Sequence, residues 1–105
     1  MSNEPYRQQG DVLFFAVDAI PAGAKRRPAA DRVVFAEGEA TGHAHATTDP
    51  CEVFELYGAL YCDAQGDITV RHEEHGTVTL PAGRYRIGIV QEYDHFAEEA
   101  RNVAD

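Results

Sequence analysis

The sequence predicts an all-β protein, a small β-barrel or a two-sheet sandwich with a short C-terminal helix. Eight short runs rich in Val, Ile, Leu, Phe and Tyr are typical of strands, and Gly, Pro or Asp separate most of them. The 105 residues fit one domain, residues 1–105, and 44% hydrophobic residues are enough for a core without disulfide bonds.

The elements follow in order from these runs and turns. Residues 1–9 are polar and are expected to form a flexible arm. The run 11–17 is apolar on both faces and predicts a first strand. Segment 18–31 contains two prolines, Gly23 and a basic cluster, and predicts a long loop. The remaining strands are predicted over 32–37, 39–47, 51–57, 59–63, 67–72, 76–80 and 84–93. Asp94 is a suitable N-cap for a short helix over 94–105.

Charge and composition restrict the partners. The formal net charge of −9 disfavours nucleic acid, because binding to phosphates requires Lys and Arg. The basic cluster at residues 25–27 is short and is interpreted as part of a solvated loop. No apolar run approaches the roughly 20 residues of a membrane helix, and the first residues lack a signal-peptide pattern, so we expect a cytoplasmic protein without membrane contact.

Cys51 and Cys62 lack metal-site spacing and are expected to be small buried side chains.

The predicted strand over 39–47 carries the strongest functional signal. Residues two apart share a face of a strand, so Glu39, Thr41, His43 and His45 form a polar face opposite small residues. Two imidazoles at this spacing lie close enough to bind one metal ion. A His-x-His pair alone is equally compatible with two exposed histidines.

A second segment with histidines, a predicted hairpin, favours a shared site. Pairing Ile68 with Leu80 and Val70 with Val78 places four apolar side chains on one face. His72 then lies at the inward end of this row, where a polar side chain needs a partner. The histidines of the other segment are the obvious partners, with a shared ion between them.

Together the two segments predict one site in which four histidines serve as metal ligands and catalytic residues: His43, His45, His72 and His75, the last of them in a predicted loop over 73–75. Glu39 or Glu55 could complete the coordination. Three imidazoles with at most one carboxylate suit Zn, Fe, Ni, Cu or Mn rather than Ca or Mg, so a divalent transition metal is the expected cofactor. Arg86 and Tyr93 are candidates for binding a substrate, although Arg86 is equally explained as the solvent face of an outer strand.

The first histidine segment resembles the cupin superfamily of small β-barrels. The first cupin motif has a glycine, then His-x-His, then a glutamate, and Gly38, His43 and His45 match it loosely. The spacing after the glycine is one residue shorter, and Glu52 lies further along than the usual motif glutamate. This resemblance implies a metal bound inside a barrel.

The second cupin motif contains Pro-x-Gly followed by a histidine three residues after the glycine. The text Pro81-Ala82-Gly83 is similar to it, but Arg86 stands at the histidine position. The resemblance therefore implies that a third imidazole comes from His72 or His75.

The chain also resembles a family of small uncharacterised bacterial and phage proteins. The matching text is RQQGDVLF near the start, AEGEATGHAH in the middle and HEEHG…LPAGRYRIGIVQEYD toward the end. The resemblance covers most of the chain and implies that these segments work together, but it implies no activity.

Three functional hypotheses follow. The first is a metal-dependent enzyme, such as a hydrolase, acting on a small molecule or a phosphate ester. The second is a metal-free histidine acid–base phosphodiesterase or RNA-processing enzyme, since imidazole pKa values lie near neutrality; Arg7, Arg71 or the basic cluster would receive the phosphate. The third is a non-catalytic metal-binding or assembly module. Polar imidazoles brought together without a ligand lower the stability of a fold, so their predicted clustering favours the first hypothesis. Exposed strand edges favour a homodimer.

Overall fold

The computed structural model of the chain describes residues 4–37 and 42–90, and this part is all-β, as the sequence predicts. The strands of this part are β1 (Arg7–Gln9), β2 (Val12–Val17), β3 (Lys25–Arg26), β4 (Val33–Glu37), β5 (Ala44–Thr47), β6 (Glu52–Leu56), β7 (Ala59–Ala64), β8 (Ile68–Val70), β9 (Val78–Leu80) and β10 (Gly83–Ile89). Within the same residues, no helix has the length and apolar character needed to cross a membrane. The predicted helix over 94–105 lies outside the described residues.

One antiparallel sheet of six strands forms the first layer, in the order β1-β2-β10-β7-β6-β3. Its centre is the pairing of β10 with β2 and β7, in which Tyr85 lies opposite both Ala16 and Cys62. Side chains alternate across β10, so Tyr85 and Ile87 are buried while Arg84 and Arg86 lie on the opposite face.

Two hairpins, β4–β5 and β8–β9, form the second layer. The register predicted for β8 and β9 is confirmed, because Ile68 pairs with Leu80 and Val70 with Val78. The connection runs over residues 71–77, which is longer than the predicted loop at 73–75. The two hairpins are joined by two backbone hydrogen bonds between Ala46 and Arg71, of 2.8 and 3.0 Å.

The hydrophobic core lies between the two layers. Phe14 of the sheet is 0% exposed and meets Phe35 of the β4–β5 hairpin edge-to-face, with ring centroids 5.5 Å apart. Ile68 and Leu80 of the other hairpin are also 0% exposed. Burial of each such side chain contributes about 1.5–3 kcal/mol, so these contacts hold the hairpins against the sheet.

The prediction of a flexible arm over residues 1–9 is wrong for residues 7–9. Arg7–Gln9 form β1, which pairs antiparallel with β2 at the edge of the sheet. Gly10 and Asp11 connect the two strands, and Gly10 adopts a φ of +56°, a conformation that glycine accepts without strain. Gln9 is 2% exposed, so the arm carries a polar side chain into the core.

The two cysteines differ in accessibility, and this difference predicts their reactivity. Cys62 is 0% exposed, and burial raises its pKa to about 12, while Cys51 is half-buried. Because the thiolate is the reacting form, iodoacetamide at about pH 8 is expected to leave Cys62 unmodified in the folded protein and to label it after denaturation. Peptide mass spectrometry checks this result, with Cys51 as the internal comparison. Rapid labelling of Cys62 in the native protein would contradict the packing described here.

Candidate functional site

Strand β5 places His45 at the centre of the site. All four residues of β5 are buried, and His45 is only 1% exposed. The small side chains of Ala44 and Ala46 on the other face let the strand pack closely. A buried imidazole requires hydrogen-bond partners, and the arm supplies the first of them.

Gln9 determines which nitrogen of His45 carries the proton. The Gln9 Nε2 group donates to the carbonyl oxygens of Val70 (2.9 Å) and Gly76 (3.0 Å). Its Oε1 atom lies 2.9 Å from His45 Nδ1 and can only accept a hydrogen bond, so Nδ1 carries the proton. In the neutral ring the lone pair is therefore on Nε2, free for a proton or a metal ion.

The surroundings of His45 favour its neutral form. Burial lowers the pKa of His45, and the nearby His72 lowers this pKa further. The carboxylate of Asp11, whose Oδ1 lies 3.6 Å from His45 Nε2, acts in the opposite direction and does not overcome burial. His45 is thus held as a neutral acceptor at its Nε2 atom.

The structure brings the four predicted histidines together, with His72 in the middle. Its ring centroid lies 4.2 Å from that of His45, 4.6 Å from that of His75 and 5.6 Å from that of His43. The centroids of His45 and His75 are 6.0 Å apart. Across residues 4–37 and 42–90, however, no three His, Cys, Asp or Glu side chains have their donor atoms in a metal-holding arrangement.

His72 has the opposite proton arrangement to His45. The backbone N–H of Glu74 donates to His72 Nδ1 at 3.0 Å. A neutral His72 therefore carries its proton on Nε2 and is a hydrogen-bond donor there. The carboxylate of Glu74 also lies near His43, with Oε1 3.8 Å from Nδ1.

Two contacts hold the loop after β8 against the rest of the site. Both carboxylate oxygens of Glu73 accept from the backbone N–H of Ala44, at 2.8 and 3.1 Å, and this hydrogen bonding lowers the pKa of Glu73. His75 packs on Gly10, where an added Cβ would lie 2.5 Å from the His75 Nε2 atom. A glycine at position 10 therefore leaves room for the imidazole.

Several predicted site residues lie elsewhere. Glu55 is corrected, because it accepts from Arg27 at the β3–β6 edge of the large sheet and has no contact with the histidines. Arg86 is corrected as a substrate ligand, because it lies on the outer face of that sheet, 4.3 Å from the centroid of the Phe15 ring. Glu39 and Tyr93 lie outside the described residues.

Three residues of the site, Gln9, Asp11 and Glu73, were not predicted from the sequence. Gln9 and Asp11 lie in the text RQQGDVLF, whose resemblance to other proteins was the only available signal. Periodicity gave no signal for Gln9, because an edge strand of three residues is too short to show alternation. Glu73 looked like a solvated loop residue, since nothing local reveals its contact with Ala44, 29 positions away.

A cavity of about 310 Å³ adjoins the histidines. Its floor is formed by small side chains of β5, and Arg32, Arg71, His72 and Glu73 surround it. His72 belongs to both the histidine group and the cavity wall. The cavity can present a proton on His72 and the positive charge of two arginines to one small molecule, while His45 lies on the opposite face of β5.

Comparison with known proteins identifies a family. A family model described as a domain of unknown function, DUF8820, matches residues 8–90, which include Gln9 and all four histidines of the site. No curated protein and no solved structure matches the chain. The cupin resemblance stays a prediction.

Proposed function

We propose a function from the site alone, since the chain belongs to the DUF8820 family, whose description states no function. The proposed function is that of a metal-dependent enzyme in which His43, His45, His72 and His75 bind one divalent transition metal. Its substrate is a small molecule or a phosphate ester. The observation that carries this proposal is the oriented Nε2 lone pair of His45 beside three further imidazoles.

Gln9 supports His45 in the way that metal sites require. A histidine ligand commonly donates its second ring N–H to a fixed acceptor, which sets the tautomer and the ring orientation. Gln9 Oε1 is that acceptor, and its own amide is fixed by two backbone carbonyl groups. His45 is therefore the anchored ligand, with no rotation needed before it binds.

The other three histidines complete the site by side-chain rotation. The side chain of His43 is 24% exposed, and those of His72 and His75 reach the surface. To bind through a lone pair at Nε2, His72 has to release the Glu74 N–H and take its proton on Nδ1. Among the described residues, the carboxylates of Asp11 and Glu74 lie 3.6 and 3.8 Å from ring nitrogens of His45 and His43 and are further candidate ligands, while Glu39 stays a prediction.

The exposure of three of the histidines favours an open site over a closed structural one. A substrate reaches the group from the surface, and an ion so bound would polarise a substrate oxygen or activate a water molecule. His45 remains buried and fixed, while Asp11 stays within 3.6 Å of its Nε2 atom to orient a proton on the substrate. This openness is why we prefer an enzyme to a non-catalytic module.

A second candidate function is metal-free acid–base catalysis, and the tautomers favour it. His45 Nε2 can accept a proton from a nucleophile, and the imidazolium form of His72 can give its Nε2 proton to a leaving group. The centroids of the two rings lie 4.2 Å apart. A pair of this kind can take a proton from a nucleophile and give one to a leaving group on a phosphodiester.

Metal analysis of the full chain, purified without a histidine tag, tests the proposal. We expect one transition metal ion per chain after dialysis against micromolar Zn²⁺, Mn²⁺, Fe²⁺ or Ni²⁺. The variants His43→Gln and His75→Gln are expected to lose affinity by more than the roughly 10–100-fold caused by loss of a supporting contact. Glu55→Gln is the matched control, since Glu55 pairs with Arg27, and it is expected to bind metal normally.

The same variants separate the hypotheses. Failure of the unmodified chain to bind any of the four ions in stoichiometric amount would eliminate the metal-dependent function. Phosphodiester cleavage that persists without metal and is lost in His45→Gln and His72→Gln would establish the second candidate. Circular dichroism of each variant confirms that the fold is retained.

A further inference from the structure

Most basic side chains of this acidic protein already have partners. Nine Lys and Arg residues stand against 18 Asp and Glu residues. The side-chain contacts of the partnered arginines are Arg26 with Glu52, Arg27 with Glu55, Arg84 with Asp63, Arg7 with the Tyr6 ring and Arg86 with the Phe15 ring. Arg32 and Arg71 form no ion pair and no aromatic contact with any residue of 4–37 and 42–90.

These two arginines lie at the same cavity, next to His72. Arg71 is held there because its backbone N–H and C=O both bond to Ala46, at 2.8 and 3.0 Å. Arg32 immediately precedes β4, whose first residue, Val33, pairs with Thr47. Strand β5 therefore positions the backbone of both arginines and also carries His45, so the cavity and the histidine group share one support.

We propose that this cavity binds a phosphate-type oxyanion, held by Arg32 and Arg71 and delivered against His72. Guanidinium groups match the planar oxygen pairs of phosphate and make charge-assisted hydrogen bonds to them. At another cavity of the described residues, Arg26 and Arg27 pair with glutamates, whereas the two arginines here form no ion pair and are free to attract an anion. A volume of about 310 Å³ suits a small phosphorylated molecule.

Glu73 opposes an anion, and its contacts limit this effect. The carboxylate of Glu73 lies in the cavity wall, but it accepts two hydrogen bonds from the Ala44 N–H. With Arg32 and Arg71 positive, the cavity keeps one net positive charge when His72 is neutral. The inference rests on the proposed function in that the oxyanion is taken as the recognised group of the enzyme's substrate.

Calorimetric titration of the full chain tests the inference. The probes are inorganic phosphate and glycerol phosphate, which distinguish a free anion from an ester as the ligand. We expect saturable binding, weakened about tenfold or more in each of Arg32→Gln and Arg71→Gln. Arg84→Gln is the matched control, because it removes the same charge from an arginine that pairs with Asp63, and it is expected to bind as the unmodified chain does.

Two results would overturn the inference. One is that neither probe shows saturable binding up to about 10 mM, because a site that recognises phosphate should bind it below this concentration. The other is binding that is unchanged in Arg71→Gln but lost in His43→Gln, since an ion at the histidines would then hold the phosphate. Metal binding by Arg71→Gln is measured in parallel, because normal metal affinity with no phosphate binding leaves the metal proposal intact. Phosphate binding retained in the absence of metal supports the oxyanion site independently.

Discussion

Replacing Gln9 by leucine is expected to lower the free energy of unfolding by about 3 kcal/mol, because it leaves buried polar groups without partners. Gln9 is 2% exposed and bonds to His45 Nδ1 and to the carbonyl oxygens of Val70 and Gly76. Leucine fills a similar volume and leaves no cavity, so the decrease in the free energy of unfolding measures the lost hydrogen bonds. The same substitution removes the acceptor that orients His45, and metal affinity is expected to fall about 10–100-fold.

Urea unfolding followed by circular dichroism measures the first effect, and competition with a chelator measures the second. Gln8→Leu is the matched control, because Gln8 is exposed and its side chain bonds only to the Gly10 carbonyl among the described residues. This control should change stability by less than about 0.5 kcal/mol. Equal effects at positions 8 and 9 would show that Gln9 does not hold His45.

Phe14→Ala is expected to lower the free energy of unfolding by about 3–5 kcal/mol, the usual cost of removing a buried aromatic ring. Phe14 is 0% exposed, and its ring meets that of Phe35 edge-to-face at 5.5 Å. This contact joins the six-stranded sheet to the β4–β5 hairpin, whose second strand carries His45. The loss should therefore loosen the site together with the core.

The neighbouring Phe15 provides the comparison for Phe14. Phe15 lies on the outer face of β2, half-buried, with Arg86 over its ring. Phe15→Ala is expected to lower the free energy of unfolding by about 1 kcal/mol, because the half-buried Phe15 ring lies outside the core. Thermal unfolding monitored by calorimetry gives both values. If Phe15→Ala lowered the free energy of unfolding more than Phe14→Ala does, the core would not lie on the Phe14 face of the sheet.

The sequence alone determined most strand elements and the register of one hairpin, but not β1 or β3, whose residues were predicted as an arm and a loop. Runs of strand-forming residues between turn residues identified β2, β4, β6, β7 and β10 to within a few residues at their ends. The apolar pairs of β8 and β9 allowed one register, because a shift by one residue would turn every side chain to the opposite face. Alternation with a period of two predicted that His43 and His45 share one face of a strand, although β5 begins only at Ala44. It also led to the expectation that a second histidine segment lies beside this strand.

Only the tertiary structure decided which residues surround those histidines. Gln9 bonds to His45 across 36 positions, and Glu73 bonds to Ala44 across 29. Such contacts depend on which strands become neighbours, and no local pattern of side chains encodes this. Glu55 and Arg86 were suitable by residue type, yet strand order placed one at the far edge of the sheet and the other on its outer face. Local periodicity determines the direction in which a side chain points, whereas packing between distant segments determines what it meets there.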